Sequence, residues 1–225
     1  MTDAVAGGVW TIMIPVKPLQ DGKSRLGAPG AARAELALAI ALDTIAAVAA
    51  AGGVGEVVVV TADDAVADAV GSLSCGVGVL ACSVAVRIVR EPRAAGIDAA
   101  LALAAGIVGS GVPRASLPGD LAALRPEELA SALRLAGEHD RAVVADADGT
   151  GTTLLTARTG VAWRSAYGPG SFARHIALGA HALALPADSG LRRDLDTPAQ
   201  LAAAAASVGP RTAAAVGLAG VAAPA

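Results

Sequence analysis

The sequence predicts an α/β fold: one domain in which a mostly parallel sheet is covered by helices. Two observations carry this. Apolar, β-branched runs alternate with alanine-rich helical stretches, which is the pattern of strand–helix–strand units. The strand candidates are apolar throughout, as expected of strands buried on both faces. Scarce aromatics point the same way. Trp10, Trp163, Tyr167 and Phe172 are the only ones, so small side chains must build the core through close helix–sheet contact.

Val9 to Val16 reads as the first strand, with Pro15 near its end, where a strand tolerates it. A polar loop runs from Lys17 to Gly30. Ala31 to Ala51 is a helix by propensity, with Leu36, Ile40 and Ile45 close to helical spacing and Gly52-Gly53 to stop it. Glu56 to Thr61 holds four consecutive valines and is the clearest strand. Asp63 and Asp64 open a helix to Val70, with a carboxylate at the N-cap. Strand, helix, strand, helix in that order implies parallel pairing through right-handed crossovers. A glycine- and serine-rich stretch leads to a strand at Ala85 to Val89 and a helix at Ile97 to Val108. Val112 to Leu117 is the next strand, where Pro113 and Arg114 argue against a central place in the sheet. Pro126 at a first helical position starts a helix to about Gly137. Arg141 to Ala147 and Thr152 to Ala157 are strands. Ser171 to Leu178 is a short helix and His181 to Leu185 a strand. Thr197 caps a last alanine helix to about Ser207. Residues 1–209 form the domain, and 210–225 read as a loose tail.

Composition narrows the function. Among 225 residues there are 58 alanines, 15 arginines, two lysines and no asparagine. The mean hydropathy of +0.59 comes largely from alanine. The longest uncharged run, Ala69 to Val86, holds three glycines and three serines, whereas a spanning helix needs about 20 predominantly apolar residues. No membrane partner is expected. A net charge of −3 without a basic stripe offers nucleic acid no footprint. Cys75 and Cys82 lack metal-ligand spacing and read as reduced, packed thiols. No leader-like segment opens the sequence, so a soluble cytoplasmic protein is the expectation.

In open α/β sheets ligands bind beyond the carboxyl ends of the strands. Both lysines, Lys17 and Lys23, fall in the loop after the first strand, followed by Arg25. Three cations in nine positions read equally as a polyphosphate cradle and as a solvated loop. Asp120, in Pro118-Gly119-Asp120, reads either as a Mg²⁺ ligand or as the start of a turn. Asp194 and Asp196 share a face if the segment is extended, and so could share a metal; Asp196 or Thr197 could equally cap the final helix. Gly149-Thr150-Gly151-Thr152-Thr153 and Tyr167-Gly168-Pro169-Gly170-Ser171 are glycine- and hydroxyl-rich turns whose N–H groups suit phosphate or carboxylate. His139, His175 and His181 are scattered, without a nucleophile at a motif distance. No dinucleotide fingerprint or P-loop is present.

Taken in order, these segments resemble one family. Ile14-Pro15-Val16-Lys17-Pro18-Leu19, Gly22-Lys23-Ser24-Arg25-Leu26, Gly119-Asp120-Leu121 and Gly149-Thr150-Gly151-Thr152 form the first part of the match. Ala123-Leu124-Arg125-Pro126-Glu127-Glu128-Leu129, Val144-Ala145-Asp146, Tyr167-Gly168-Pro169-Gly170-Ser171, Ala173-Arg174-His175 and Leu191-Arg192-x-Asp194-x-Asp196-Thr197-Pro198 complete it. The set is similar to the 2-phospho-L-lactate and phosphoenolpyruvate guanylyltransferases of coenzyme F420 biosynthesis. The resemblance implies a nucleotidyltransferase fold like that of nucleotide-diphospho-sugar transferases, with a mixed, mostly parallel sheet. It implies GTP and a phospho-acid as substrates, phosphoenolpyruvate in the setting that the composition suggests. The product would pass to the next transferase of the pathway, and a homodimer is compatible with the family. By the same resemblance Asp120, Asp194 and Asp196 would hold Mg²⁺. Thr152, Gly168 and Ser171 would bind the acid, and Lys17, Lys23 and Arg25 the triphosphate. Asp98, in Gly96-Ile97-Asp98, stands on the nucleotide side where the family carries an asparagine. Two other functions are weighed: a nucleotidyltransferase of the same fold for a sugar or molybdopterin phosphate, and a nucleotide-binding relative without activity. The first lacks the glycine-rich loop of those enzymes after strand one; the second draws on Asp98 and the interrupted Val112 strand.

Overall fold

A computed structural model describes residues 9–21, 30–75 and 84–219. Among these residues seven strands form one sheet: β1 (Trp10–Pro15), β2 (Val54–Thr61), β3 (Ala85–Arg90), β4 (Arg114–Ser116), β5 (Ala142–Ala145), β6 (Thr152–Ala157) and β7 (His181–Ala182). They lie in the order β3-β2-β1-β4-β6-β5-β7. β6 runs antiparallel to β4 and β5, and every other neighbouring pair is parallel. The helices are α1 (Gly30–Ala49), α2 (Asp64–Cys75), α3 (Ile97–Val108), α4 (Pro126–Ala136), α5 (Ser171–Ala177), α6 (Pro198–Ala204) and α7 (Pro210–Ala219).

The four-valine run shows why the strands are apolar throughout. Val57 and Val59 pack with Ile12, Ile14, Ile45 of α1 and Leu129 of α4 on one face. Val58 and Val60 pack with Met13 and with Leu101 and Ala104 of α3 on the other. Each valine is fully buried, a gain of about 1.5–3 kcal/mol apiece. A third layer lies outside α1: Leu36 and Ile40 meet Leu195, Leu201, Val208, Ala215 and Val216.

Three expectations are corrected here. The Val112 segment is central, between β1 and β6, though only Arg114–Ser116 form the strand. Pro113 lies just ahead of the ladder, where its missing N–H is not needed, and its carbonyl accepts from the Thr11 N–H at 3.0 Å. The buried Arg114 guanidinium donates to the Val161 carbonyl. Second, residues 210–219 of the expected tail are helix α7; residues 220–225 lie outside the described ones. Asp43, 5% exposed within α1, provides the α7 N-terminus with acceptors. Its Oδ2 takes the Thr212 N–H at 2.7 Å, and its Oδ1 takes the Arg211 N–H at 3.3 Å and Nη1 at 3.4 Å. A Cβ at Gly209 would lie 2.4 Å from Asp43 Cγ, so only glycine lets the chain pass there. β7 is also shorter than read, ending at Ala182.

Candidate active site

A cavity of about 550 Å³ opens at the carboxyl ends of β1 and β4. Lys17, Glu91, Gly96, Ile97, Asp120 and Asp196 are among the residues that line it. Lys17 sits in the loop that leaves β1. Asp63 fixes that loop: its Oδ2 accepts the Leu19 N–H at 2.8 Å, while its Oδ1 caps α2 through the N–H groups of Ala65 at 2.9 Å and Val66 at 3.3 Å. Lys23 and Arg25 lie outside the described residues.

The acidic side is built by close backbone approach. A Cβ at Gly119 would stand 3.1 Å from Val16 Cγ2, so glycine lets the Gly119-Asp120 turn press on the end of β1. The Leu195 N–H donates to the Asp120 carbonyl at 3.2 Å. Leu195 is buried, and Asp194 and Asp196 flank it, half-buried, as an extended segment requires. A Cβ at Gly190 would fall 2.0 Å from the Ala123 carbonyl oxygen, and the Gly190 N–H donates to Glu128 Oε1 at 3.1 Å. These contacts lock residues 190–196 under the Asp120 turn. Thr197 and Gln200 form a capping box on α6, so capping falls to Thr197 and not to Asp196. Asp120 and Asp196 line the cavity, and Asp194 does not. Among the described residues no three His, Cys, Asp or Glu side chains form a metal-holding group. The donor set at the cavity is two carboxylates, which fits a Mg²⁺ that completes its shell with phosphate oxygens and water.

The hydroxyl side comes from β6 and α5. Ser116 pairs with Leu155 in antiparallel register. Thr152 opens β6, and neither it nor Gly168 nor Ser171 is among the residues that line the cavity, whereas Pro169 of the same loop as Gly168 is. Thr152, Ser171 and His175 are all buried. Ser171 Oγ donates to Thr152 Oγ1 at 3.2 Å, His175 Nδ1 lies 2.9 Å from the same oxygen, and His175 Nε2 accepts the Ala166 N–H at 2.9 Å. Burial pushes the His175 imidazole down to about 4; nearby Asp98 opposes the shift and Arg174 adds to it. Its ring and that of Tyr167 stand near perpendicular, 71° apart, with centroids 5.0 Å apart.

The loop between β6 and α5 is fastened from several sides. Arg174 donates to the carbonyls of Ala166, Tyr167 and Pro169. The Tyr167 hydroxyl and Ser116 Oγ are 2.7 Å apart, and burial raises the phenol well above its usual range, so it stays protonated. Gly168 and Gly170 carry φ of 109° and 73°, which a side chain would resist. The Asp146 carboxylate accepts the N–H groups of Thr150 and Gly151 at 2.9 and 2.8 Å and shapes the turn before Thr152.

Asp98, expected on the nucleotide side, is engaged elsewhere. Both its oxygens lie 3.1 Å from the Tyr167 nitrogen, and it does not line the cavity. Two residues escaped the sequence reading. Glu91 lines the cavity just after β3, and burial holds its carboxyl above the usual range. His175 belongs to the matched Ala173-Arg174-His175 segment, but no role attaches to it from the sequence. Its spacing of four from Ser171 on one helix is the signal that places both on one face.

The family model described as guanylyl transferase CofC like matches residues 10–185. A phosphoenolpyruvate guanylyltransferase from Thermomonospora curvata is 44% identical over 210 residues, covering 91% of this chain and 87% of that one. One from Streptomyces avermitilis is 45% identical over 212 residues, covering 92% and 93%. A nucleotidyl transferase from Methanothermobacter thermautotroptrophicus matches in structure with a TM-score of 0.56 at 18% identity, over 85% of this chain and 93% of that one. That last likeness is one of fold.

Proposed function

The chain belongs to the CofC-like guanylyl transferases, and we propose that it transfers GMP from GTP to phosphoenolpyruvate in coenzyme F420 biosynthesis. The observation that carries this reading is the cavity itself. Lys17, Asp120 and Asp196 share one space beyond the strand ends with Gly119 and Pro169; Thr152 and Ser171, hydrogen-bonded to each other, lie outside that lining.

An oxygen of the phosphoenolpyruvate phosphate attacks the α-phosphorus of GTP. The new P–O bond forms as the bond to the β-phosphate oxygen breaks, and diphosphate leaves with that electron pair. The attacking oxygen is already anionic, so no protein base is needed. Lys17, with Lys23 and Arg25 from the same loop, neutralises the triphosphate. Thr152 and Ser171 with the Gly168 backbone receive the acid and aim its phosphate. Mg²⁺ held by Asp120 and Asp196, with Asp194 beside them, would offset the charge that builds on the α-phosphate and the leaving group. Asp98 contributes at one remove, by holding Tyr167 in the acid-binding loop. The product carries a diphosphate bond that activates it for the following transferase.

Diphosphate release from GTP and Mg²⁺ with phosphoenolpyruvate, and separately with 2-phospho-L-lactate, tests the reading. Turnover with phosphoenolpyruvate is expected. The reading is overturned if neither acid supports release.

A further inference from the structure

We propose that His175 is a positioning residue that turns the Thr152 hydroxyl into a dedicated hydrogen-bond donor for the phospho-acid. The inference rests on the reading above, in which Thr152 meets that substrate, and it assigns a role to a side chain outside the cavity lining.

The argument runs through the protons. His175 Nε2 accepts the Ala166 N–H. A neutral imidazole that accepts at one nitrogen carries its hydrogen on the other. Nδ1 therefore bears the proton and donates to Thr152 Oγ1 at 2.9 Å. The Ser171 hydroxyl also donates to Thr152 Oγ1. A hydroxyl oxygen has two acceptor positions, and both are filled. The Thr152 proton has then only one use, donation to a group from outside the cluster. An acid presents such a group as a carboxylate or phosphate oxygen, and a charged acceptor makes the stronger bond. A ligand that carried a donor at this point would meet no acceptor on Thr152.

The surroundings keep the tautomer fixed. The charged groups facing the ring are Asp98 and Arg174, and the Tyr167 ring packs against it in a T-shaped contact. Asp98 and Arg174 both hold the 166–169 loop by its backbone, so the Ala166 N–H that selects the tautomer is itself held in place. Protonation of Nε2 would remove its acceptor and aim an N–H at the Ala166 N–H.

Steady-state kinetics on four variants test this. His175→Ala is expected to raise KM for phosphoenolpyruvate about tenfold or more, the equivalent of one charge-assisted hydrogen bond, with KM for GTP within twofold. Thr152→Val is expected to do the same. The double variant should be no worse than either single, because the two act as a unit. His175→Asn keeps a donor near the Nδ1 position and should recover most of the affinity, whereas His175→Leu should not. Additive losses, an equal rise in KM for GTP, or equal behaviour of the Asn and Leu variants would overturn the role of His175. If His175→Ala fails to fold, the Asn and Leu pair decides. An unchanged phosphoenolpyruvate KM in Thr152→Val would instead overturn the placing of the acid at Thr152. A raised KM in Thr152→Val with none in His175→Ala overturns only the present inference.

Discussion

On β1 and β2 the buried side chains are apolar except for Thr11 and Thr61; on β4 and β6 they include Arg114, Ser116, Thr152, Thr153 and Thr156, joined by Ser171 and His175 of α5. Valines need only matching volume, and alternate faces of β2 find it in two helical layers. Buried hydroxyls and imidazoles need partners at set angles. One half of the sheet is therefore held chiefly by packing, and the other adds directed bonds at Arg114, Ser116, Thr152 and Thr156. A site for an anionic substrate profits from the second kind, because each donor keeps its aim before the ligand arrives.

Four substitutions and two conditions sharpen this contrast. The largest effect is expected at the cavity. Asp120→Ala should lower kcat/KM by at least about a hundredfold, with the circular dichroism spectrum retained, and EDTA should act likewise on the unaltered enzyme. Full activity in Asp120→Ala would remove the metal site. In the packed half, Ile45→Ala should cost about 2–5 kcal/mol in a urea melt and leave both KM values unchanged. Altered KM values there would break the division. In the directed half, His175 gives a pH signature. Its folded pKa lies at about 4, below the usual 6.5, so the unfolded chain takes the proton first. The stability this holds is present above pH 6.5 and is lost as pH falls toward 4, by about 3 kcal/mol. Urea melts at pH 7 and pH 4 should show a smaller difference for His175→Asn than for the unaltered protein. The smallest effect is expected at Asp43, where replacement by Ala should cost about 1–2 kcal/mol and speed hydrogen exchange at the start of α7.

The same contrast explains what was legible in the sequence. The β2 valines, the helix Ile97–Val108 and the strand Thr152–Ala157 stand where the pattern puts them, since period and propensity are local. β4 was misjudged because Pro113 was weighed as part of the ladder, and residue types do not show that it lies one step ahead of it. Helix α7 was missed because alanines at 213–215 carry no apolar rhythm. What places it is a carboxylate more than 160 positions earlier. At the site, the ordered motifs pointed to Asp120, Asp196, Thr152 and Ser171. The cavity joins the two carboxylates, while Thr152 and Ser171 are hydrogen-bonded to each other outside its lining. The resemblance puts Asp98 on the nucleotide side where the family has an asparagine, and only the fold shows that its carboxylate takes the Tyr167 N–H.

The clasp between Asp43 and α7 also sets an order of events during synthesis. Its partners are 168 and 169 residues further along the chain. A ribosome working from the amino end releases α1 early, with an apolar flank and a carboxylate that await cover. The flank formed by Leu36 and Ile40 gains Ala122 and Ala123, then Leu195 and Leu201, as they emerge, and until they do it is a surface for a chaperone to shield. The carboxylate waits until residue 212 has cleared the exit tunnel, so closing this long loop belongs to the last steps of folding.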